Sequence, residues 1–149
     1  MAGPELVFET FIRAPADRIW TALTSAEFTS RYFFATRVES TWETGADVVY
    51  RSTADGEPAV EGKVLEADPP HRLVLSWHVL HSAEAATEPP SRVTYEIEEL
   101  SGRCRLRIVH DRFPADSVVP ELVTDGWPYI AASLKSLLET GEALPARAS

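Results

Sequence analysis

The chain has 149 residues, 44% of them apolar, enough for one globular domain with a real core. Its formal net charge of −9 argues against a nucleic-acid backbone or an anionic membrane as partner, because both require clustered Lys and Arg. No run approaches the ~18 apolar residues of a membrane span, and the start MAGPELVFET lacks the basic and apolar segments of a secretory leader, so a cytoplasmic location is expected.

Leu6, Phe8, Thr10 and Ile12 alternate with Val7, Glu9, Phe11 and Arg13, the period of a strand with one apolar face. Ala14-Pro15 ends it, and a proline suits the first helical turn, where its missing N–H would be unpaired anyway. Ile19, Trp20 and Leu23 then predict a helix over about Pro15–Leu23. Thr24-Ser25-Ala26-Glu27 has the pattern of a capping box and predicts a second short helix over about Ser25–Tyr32. Val38, Thr41-Trp42 and Val48–Tyr50 flank the turn signal Glu43-Thr44-Gly45 and predict a hairpin.

After Ala54-Asp55-Gly56, a strand is expected over about Ala59–Ala67; Asp68-Pro69-Pro70 ends it, and Arg72–Leu80 is the most apolar strand. His81–Ser91 is small, acidic and proline-containing, the composition of an exposed, mobile loop. Arg92–Leu100 and Arg103–His110 form a last hairpin around Ser101-Gly102. Alternation places Val93, Tyr95 and Ile97 with Cys104, Leu106, Ile108 and His110 on its inner face. Arg92, Thr94, Glu96 and Glu98 oppose Arg103, Arg105 and Arg107 on the other, a pattern better explained by solvated cross-strand ion pairs than by an anion site.

Val119, Leu122, Val123, Trp127, Ile130, Leu134, Leu137 and Leu138 recur at helical spacing and predict one long amphipathic helix over Val118–Gly141. Pro128 leaves two outcomes: a kink, or a regular helix that begins near Gly126. The fold class is therefore α+β: a curved antiparallel sheet wrapped around a long C-terminal helix, with two short helices after the first strand. If those helices prop the long one away from the sheet, a cavity remains between the layers. One domain over residues 1–149 is expected, ordered over about 6–141, with Met1–Pro4 and Glu142–Ser149 loose.

Three segments carry a resemblance: Ile12-Arg13-Ala14-Pro15 with Ile19-Trp20-Thr21-Ala22-Leu23-Thr24; Leu106-Arg107-Ile108-Val109-His110 with Phe113-Pro114; and Gly126-Trp127 with Leu134–Gly141. Together with the strand order, they resemble the START-like (SRPBCC, birch-pollen-allergen-type) superfamily. The similar branch is the one named for homology to the C-terminal domain of the activator of heat-shock-protein-90 ATPase. The resemblance implies a helix-grip fold, often a homodimer, with an interior cavity for hydrophobic or amphipathic small molecules. Arg31-Tyr32-Phe33 departs from the tryptophan-rich stretch that this branch implies there.

Aromatic side chains gather on the faces expected to look inward: Phe33, Phe34, Trp42, Tyr50, Trp77, Tyr95 and Trp127, joined on the helix by Ile130 and Leu134. As a set they suit a lined cavity, and Tyr50 and Tyr95 add phenol hydroxyls to apolar bodies. His110 is the leading polar candidate, inward near the end of its strand; the alternative is a histidine bonded to a backbone carbonyl at the turn into Asp111–Pro114. Asp111 faces the opposite way, so the two make a poor catalytic pair. His78 and His81 point to opposite sides of a strand, and no metal motif, glycine-rich phosphate loop or nucleophile elbow is present, so no cofactor, metal or catalytic set is expected. Cys104, the single cysteine, reads as a small core residue, and Arg51 and Glu61 as solvated.

The leading functional expectation is a binding protein for a hydrophobic or amphipathic small molecule. The competing expectations are a cyclase- or dehydratase-type enzyme that uses the same pocket, with His110 or a tyrosine moving protons, and a co-chaperone-like interaction module.

Overall fold

A computed structural model describes residues 4–145; the expectation of loose ends at residues 1–3 and 146–149 lies outside the described residues. The chain runs β1 (Leu6–Ile12), α1 (Ala16–Thr24), α2 (Ala26–Tyr32), β2 (Thr36–Glu39), β3 (Asp47–Ser52), β4 (Pro58–Asp68) and β5 (Arg72–Val79). It continues with α3 (Ala83–Ala86), β6 (Ser91–Leu100), β7 (Arg103–Asp111), α4 (Val119–Val123) and α5 (Gly126–Thr140). All seven strands form one curled antiparallel sheet in the order β1-β7-β6-β5-β4-β3-β2, gripping α5 in its concave face. The first strand pairs with the last, from Leu6 opposite His110 to Ile12 opposite Cys104.

The sheet curls where β4 crosses its neighbours, with register shifts between Val64 and Glu66 against β5 and between Tyr50 and Arg51 against β4. At Gly62 the strands approach so closely that a Cβ would lie 1.8 Å from the Ser76 carbonyl oxygen. The neighbouring Lys63 N–H donates to the Ser76 hydroxyl at 2.8 Å. Ile12, Val93, Tyr95, Ile97, Cys104, Leu106, Ile108 and His110 all face inward and are buried, as alternation requires. On the outer face Arg105 pairs with Glu98 at 3.2 Å and Arg72 with Glu96 at 2.6 Å. Thr94, expected among these solvated groups, is instead buried, lying in one cross-strand row with Val74 and Val109.

Three local expectations are corrected. The single C-terminal helix is two, α4 and α5, separated at Thr124-Asp125, so of the two outcomes left open at Pro128 it is the regular helix beginning at Gly126 that occurs. Pro128 is the cause: in a continuous helix its ring would meet the Thr124 carbonyl, four residues back, whereas in the first turn of α5 its missing N–H costs nothing. The capping box does not form; the Thr24 hydroxyl donates back to the Trp20 carbonyl at 2.8 Å, and Ser25, which stands at the N-cap, makes no side-chain cap bond. The segment His81–Ser91 is pinned, not loose. Ser82 caps α3 by accepting the Ala85 N–H at 3.3 Å, Ala85 is buried, and the Glu88 carboxylate accepts the Val118 N–H at 2.8 Å.

α5 is strapped along its length. Lys135 Nζ donates to the Phe11 carbonyl, and the Arg13 N–H donates to Glu139 at 2.7 Å. Gly141 closes the helix in the left-handed conformation (φ 87°), its N–H returning to the Leu137 carbonyl. Replacing Gly62 by Ala should force β4 and β5 apart and cost about 3 kcal/mol. Urea unfolding followed by far-UV circular dichroism would measure this, and an unchanged midpoint would show that the close approach constrains nothing.

Candidate functional site

A hollow of about 440 Å³ opens between the head of α5 and the inner faces of β3, β4 and β5. Its floor is a cluster of buried rings. Phe33 stacks on Tyr50 at 4.8 Å between centroids, Tyr50 lies 5.1 Å from Trp77, and Trp77 lies 5.4 Å from Trp127. Val60, Val79 and Ile130 complete the apolar walls, and Phe34, His81, Leu122 and Val123 stand at the rim. Phe34 and Leu122 are 44% and 43% exposed, unusual for large apolar side chains.

The connection from α2 to β2 shapes one side of the mouth. Phe34 and Ala35 both adopt left-handed φ values, 50° and 53°, a costly conformation for residues with a Cβ. The turn delivers Phe34 onto the ring of Tyr129, nearly parallel at 5.7 Å, above Gly126. Phe34 lies close over Gly126: a Cβ there would be in ordinary contact with the ring at 3.6 Å. Across the hollow, Leu122 and Val123 arrive on α4, which exists as a separate element because of the break before Gly126.

Among the sequence-derived candidates, Phe33, Phe34, Tyr50, Trp77, Trp127 and Ile130 line the hollow. Four others do not. Trp42 takes φ 65° outside any strand, and its indole N–H donates to the Thr24 carbonyl at 3.0 Å, so it braces α1. Tyr95 and Leu134 are buried deeper; the phenols of Tyr50 and Tyr95 hydrogen-bond each other, and burial raises both above the ordinary tyrosine range. His110 lies behind Trp77 and Trp127, fully enclosed.

The bonds around His110 determine its proton. Trp127 Nε1–H donates to Nδ1 at 3.0 Å, so Nδ1 carries no hydrogen. The neutral ring therefore holds its proton on Nε2, which donates to the Ser91 hydroxyl at 2.7 Å, and that hydroxyl donates onward to the Trp77 carbonyl at 3.2 Å. Every polar atom in this chain of bonds is satisfied within the protein. Ser91 and His110 thus do not form an activated nucleophile, since the nitrogen facing the hydroxyl is already protonated. Nor does His110 bond a backbone carbonyl, the alternative expected from sequence. Burial pushes its pKa down from 6.5 to about 3, while Asp111 is held below the usual carboxylate range by a two-pronged bond to Arg92.

Sequence reasoning missed His81 as a lining residue although the signal was present. Trp77, Val79 and His81 share strand parity, as do Tyr50 and Ser52, and all five line the hollow. The remaining histidines are apart: His78 bonds the Ala86 carbonyl at 2.9 Å, and His71 faces Glu99 at 3.3 Å. Among the described residues no three His, Cys, Asp or Glu side chains gather in a metal-holding group, and no helix is long and apolar enough to cross a membrane. Cys104 is buried, and that burial raises its thiol pKa.

Comparison with known proteins gives one family. The family model described as Activator of Hsp90 ATPase homolog 1-like protein matches residues 13–139. No curated protein matches the chain. Solved structures with a similar fold include the Aha1 dimer from Colwellia psychrerythraea, 16% identical with a TM-score of 0.76 over 95% of this chain and 100% of that one. Protein MLL2253 from Mesorhizobium loti is 22% identical, with a TM-score of 0.77 over 91% of this chain and 97% of its own. DynU16, a protein of the dynemicin biosynthetic locus, is 21% identical with a TM-score of 0.76; the match covers 97% of this chain and 49% of DynU16.

The enclosed His110 makes stability depend on pH with a definite sign. Its folded pKa lies below the unfolded value, so between about pH 6.5 and 3 the unfolded chain binds a proton that the folded chain excludes. The stabilisation is intact above about pH 6.5 and falls on acidification, by up to about 1.4 kcal/mol per pH unit. His110→Asn should be less stable than the parent at pH 7.5 but lose less on going to pH 5. Urea midpoints at the two pH values would decide; equal slopes would place the acid sensitivity in the carboxylates.

Proposed function

Because the chain belongs to the Activator of Hsp90 ATPase homolog 1-like family, we propose that it binds a hydrophobic or amphipathic small molecule in the hollow at the head of α5. The observation that carries this reading is the cluster of Phe33, Tyr50, Trp77 and Trp127, four buried rings whose faces and edges border open space. Close-packed cores leave few voids larger than a water molecule, whereas ligand sites run to about 300–1,000 Å³ with mostly apolar walls. In this reading Phe34 and Ile130 complete the contact surface, and Tyr95, Leu134 and His110 support it from behind.

Proton transfer by His110 finds no support, since both ring nitrogens are committed to Trp127 and Ser91. The origin of DynU16 in a biosynthetic locus is in keeping with a family role in handling small organic molecules. We further propose a cytoplasmic homodimer, a reading supported by the dimer of the Colwellia relative and by the exposure of Val7 and Phe11 on the edge strand β1. Sedimentation equilibrium at micromolar protein would return a single-chain mass if the dimer is wrong.

Binding is directly measurable with N-phenyl-1-naphthylamine, an uncharged fluorescent probe. Saturable emission should appear with the parent protein, and Ala59→Trp, which fills the hollow from β4, should weaken it at least about tenfold. Absence of saturable binding up to the solubility limit of the probe would end the proposal.

A further inference from the structure

We propose that the hollow selects an uncharged, compact, ring-bearing molecule whose hydroxyl group donates a hydrogen bond to His81 at the rim. This rests on the ligand-binding reading above and narrows it. The first argument is electrostatic. Among the described residues, none that line the hollow is Lys, Arg, Asp or Glu; its polar side-chain groups are the hydroxyls of Thr36, Ser52 and Tyr50, the indole N–H groups of Trp77 and Trp127, and the His81 imidazole. A carboxylate or ammonium carried inside would lose its water and meet no opposite charge, a heavy cost. The chain's net charge of −9 opposes an anion from further away as well.

The second argument is hydrogen-bonding capacity. Thr36 spends its hydroxyl hydrogen on the Phe33 carbonyl at 2.6 Å, Tyr50 bonds the Tyr95 phenol and Trp127 bonds His110, while Ser52 accepts the Ala54 N–H at 3.2 Å and keeps its own hydrogen. His81 stands at the rim with a ring N–H turned to its own backbone carbonyl, so the other nitrogen of the neutral imidazole is an acceptor for a ligand's hydroxyl hydrogen. Partial desolvation lowers its pKa, so it supplies a neutral imidazole at neutral pH and not a countercharge for an anion.

The third argument is size and shape. The lining reaches no farther along α5 than Ile130, and Leu134 and Leu137 beyond it are buried, so the hollow suits a compact molecule better than a long acyl chain. About 440 Å³ lies toward the small end of ligand sites. Its ring-lined floor rewards flat molecules, which can stack or meet the lining edge to face.

Two matched probe pairs test this. N-phenyl-1-naphthylamine should bind at least about tenfold more tightly than 1-anilinonaphthalene-8-sulfonate, which has the same two-part aromatic skeleton plus a sulfonate. In competition with the neutral probe, 2-naphthol should outbind naphthalene, and His81→Phe should bring the ratio of the two affinities to about one, whatever it does to naphthalene binding itself. Equal or tighter binding of the sulfonate, lost in Ala59→Trp, would overturn the charge selection while leaving the ligand-binding reading intact. A naphthol preference that survives His81→Phe would overturn the role of His81. Failure of every probe to bind would sink the ligand-binding reading itself, and this inference with it.

Discussion

A tryptophan buried in an apolar wall has one hydrogen to place, and the position of α5 follows from where Trp127 places it. The acceptor is Nδ1 of His110 on β7; the same ring donates its one N–H, at Nε2, to Ser91 at the start of β6, which donates to the carbonyl of Trp77 on β5. One line of bonds therefore joins the helix head to three neighbouring strands. It sets the depth and rotation of the helix where the hollow begins. Were the head to sink into the open space, the indole hydrogen would be stranded in an apolar surrounding.

The separation between helix and sheet is accordingly local. From Leu134 onward α5 packs closed against the sheet, and Lys135 and Glu139 hold its tail to β1 and the turn that follows. At the head, where α4 and the α2–β2 turn supply side walls, the layers part over the aromatic floor. Those walls are irregular pieces of chain. Two consecutive left-handed residues, Phe34 and Ala35, form one, and a five-residue helix forms the other. Regular elements make the floor, and strained or broken ones make the mouth.

That division also explains how far the sequence could be read. Alternation along β5, β6 and β7 located Trp77, Tyr95 and His110 because a strand's period is unambiguous once one face is buried. The helical stripe located Trp127, Ile130 and Leu134 for the same reason. Sequence periodicity says nothing about depth, so it did not separate Trp77, which borders open space, from Tyr95, which lies behind it. Nor did it show that Trp42 leaves the strand path, since that depends on a left-handed backbone at an aromatic residue. The apparent capping box failed because Thr24 is still the last residue of α1, where its hydroxyl bonds the Trp20 carbonyl, and α2 starts one residue later at an uncapped Ser25. Small, acidic composition suggested mobility over His81–Ser91, yet Ser82, Ala85 and Glu88 each find a partner that only the folded chain provides.

The pairing of β1 with β7 imposes an order on vectorial synthesis. Residues 6–12 leave the ribosome first, yet their hydrogen-bonding partners, residues 104–110, emerge almost a hundred residues later. Until then β1 has no neighbour in the sheet, and α5, which closes the hollow, is made later still. Such non-local closure slows folding and leaves apolar edges uncovered while the nascent chain waits. The alternation of Glu9 and Arg13 with apolar residues in and beside that first strand therefore matters before the native state exists: it keeps charge on an edge that translation leaves unpaired for longest.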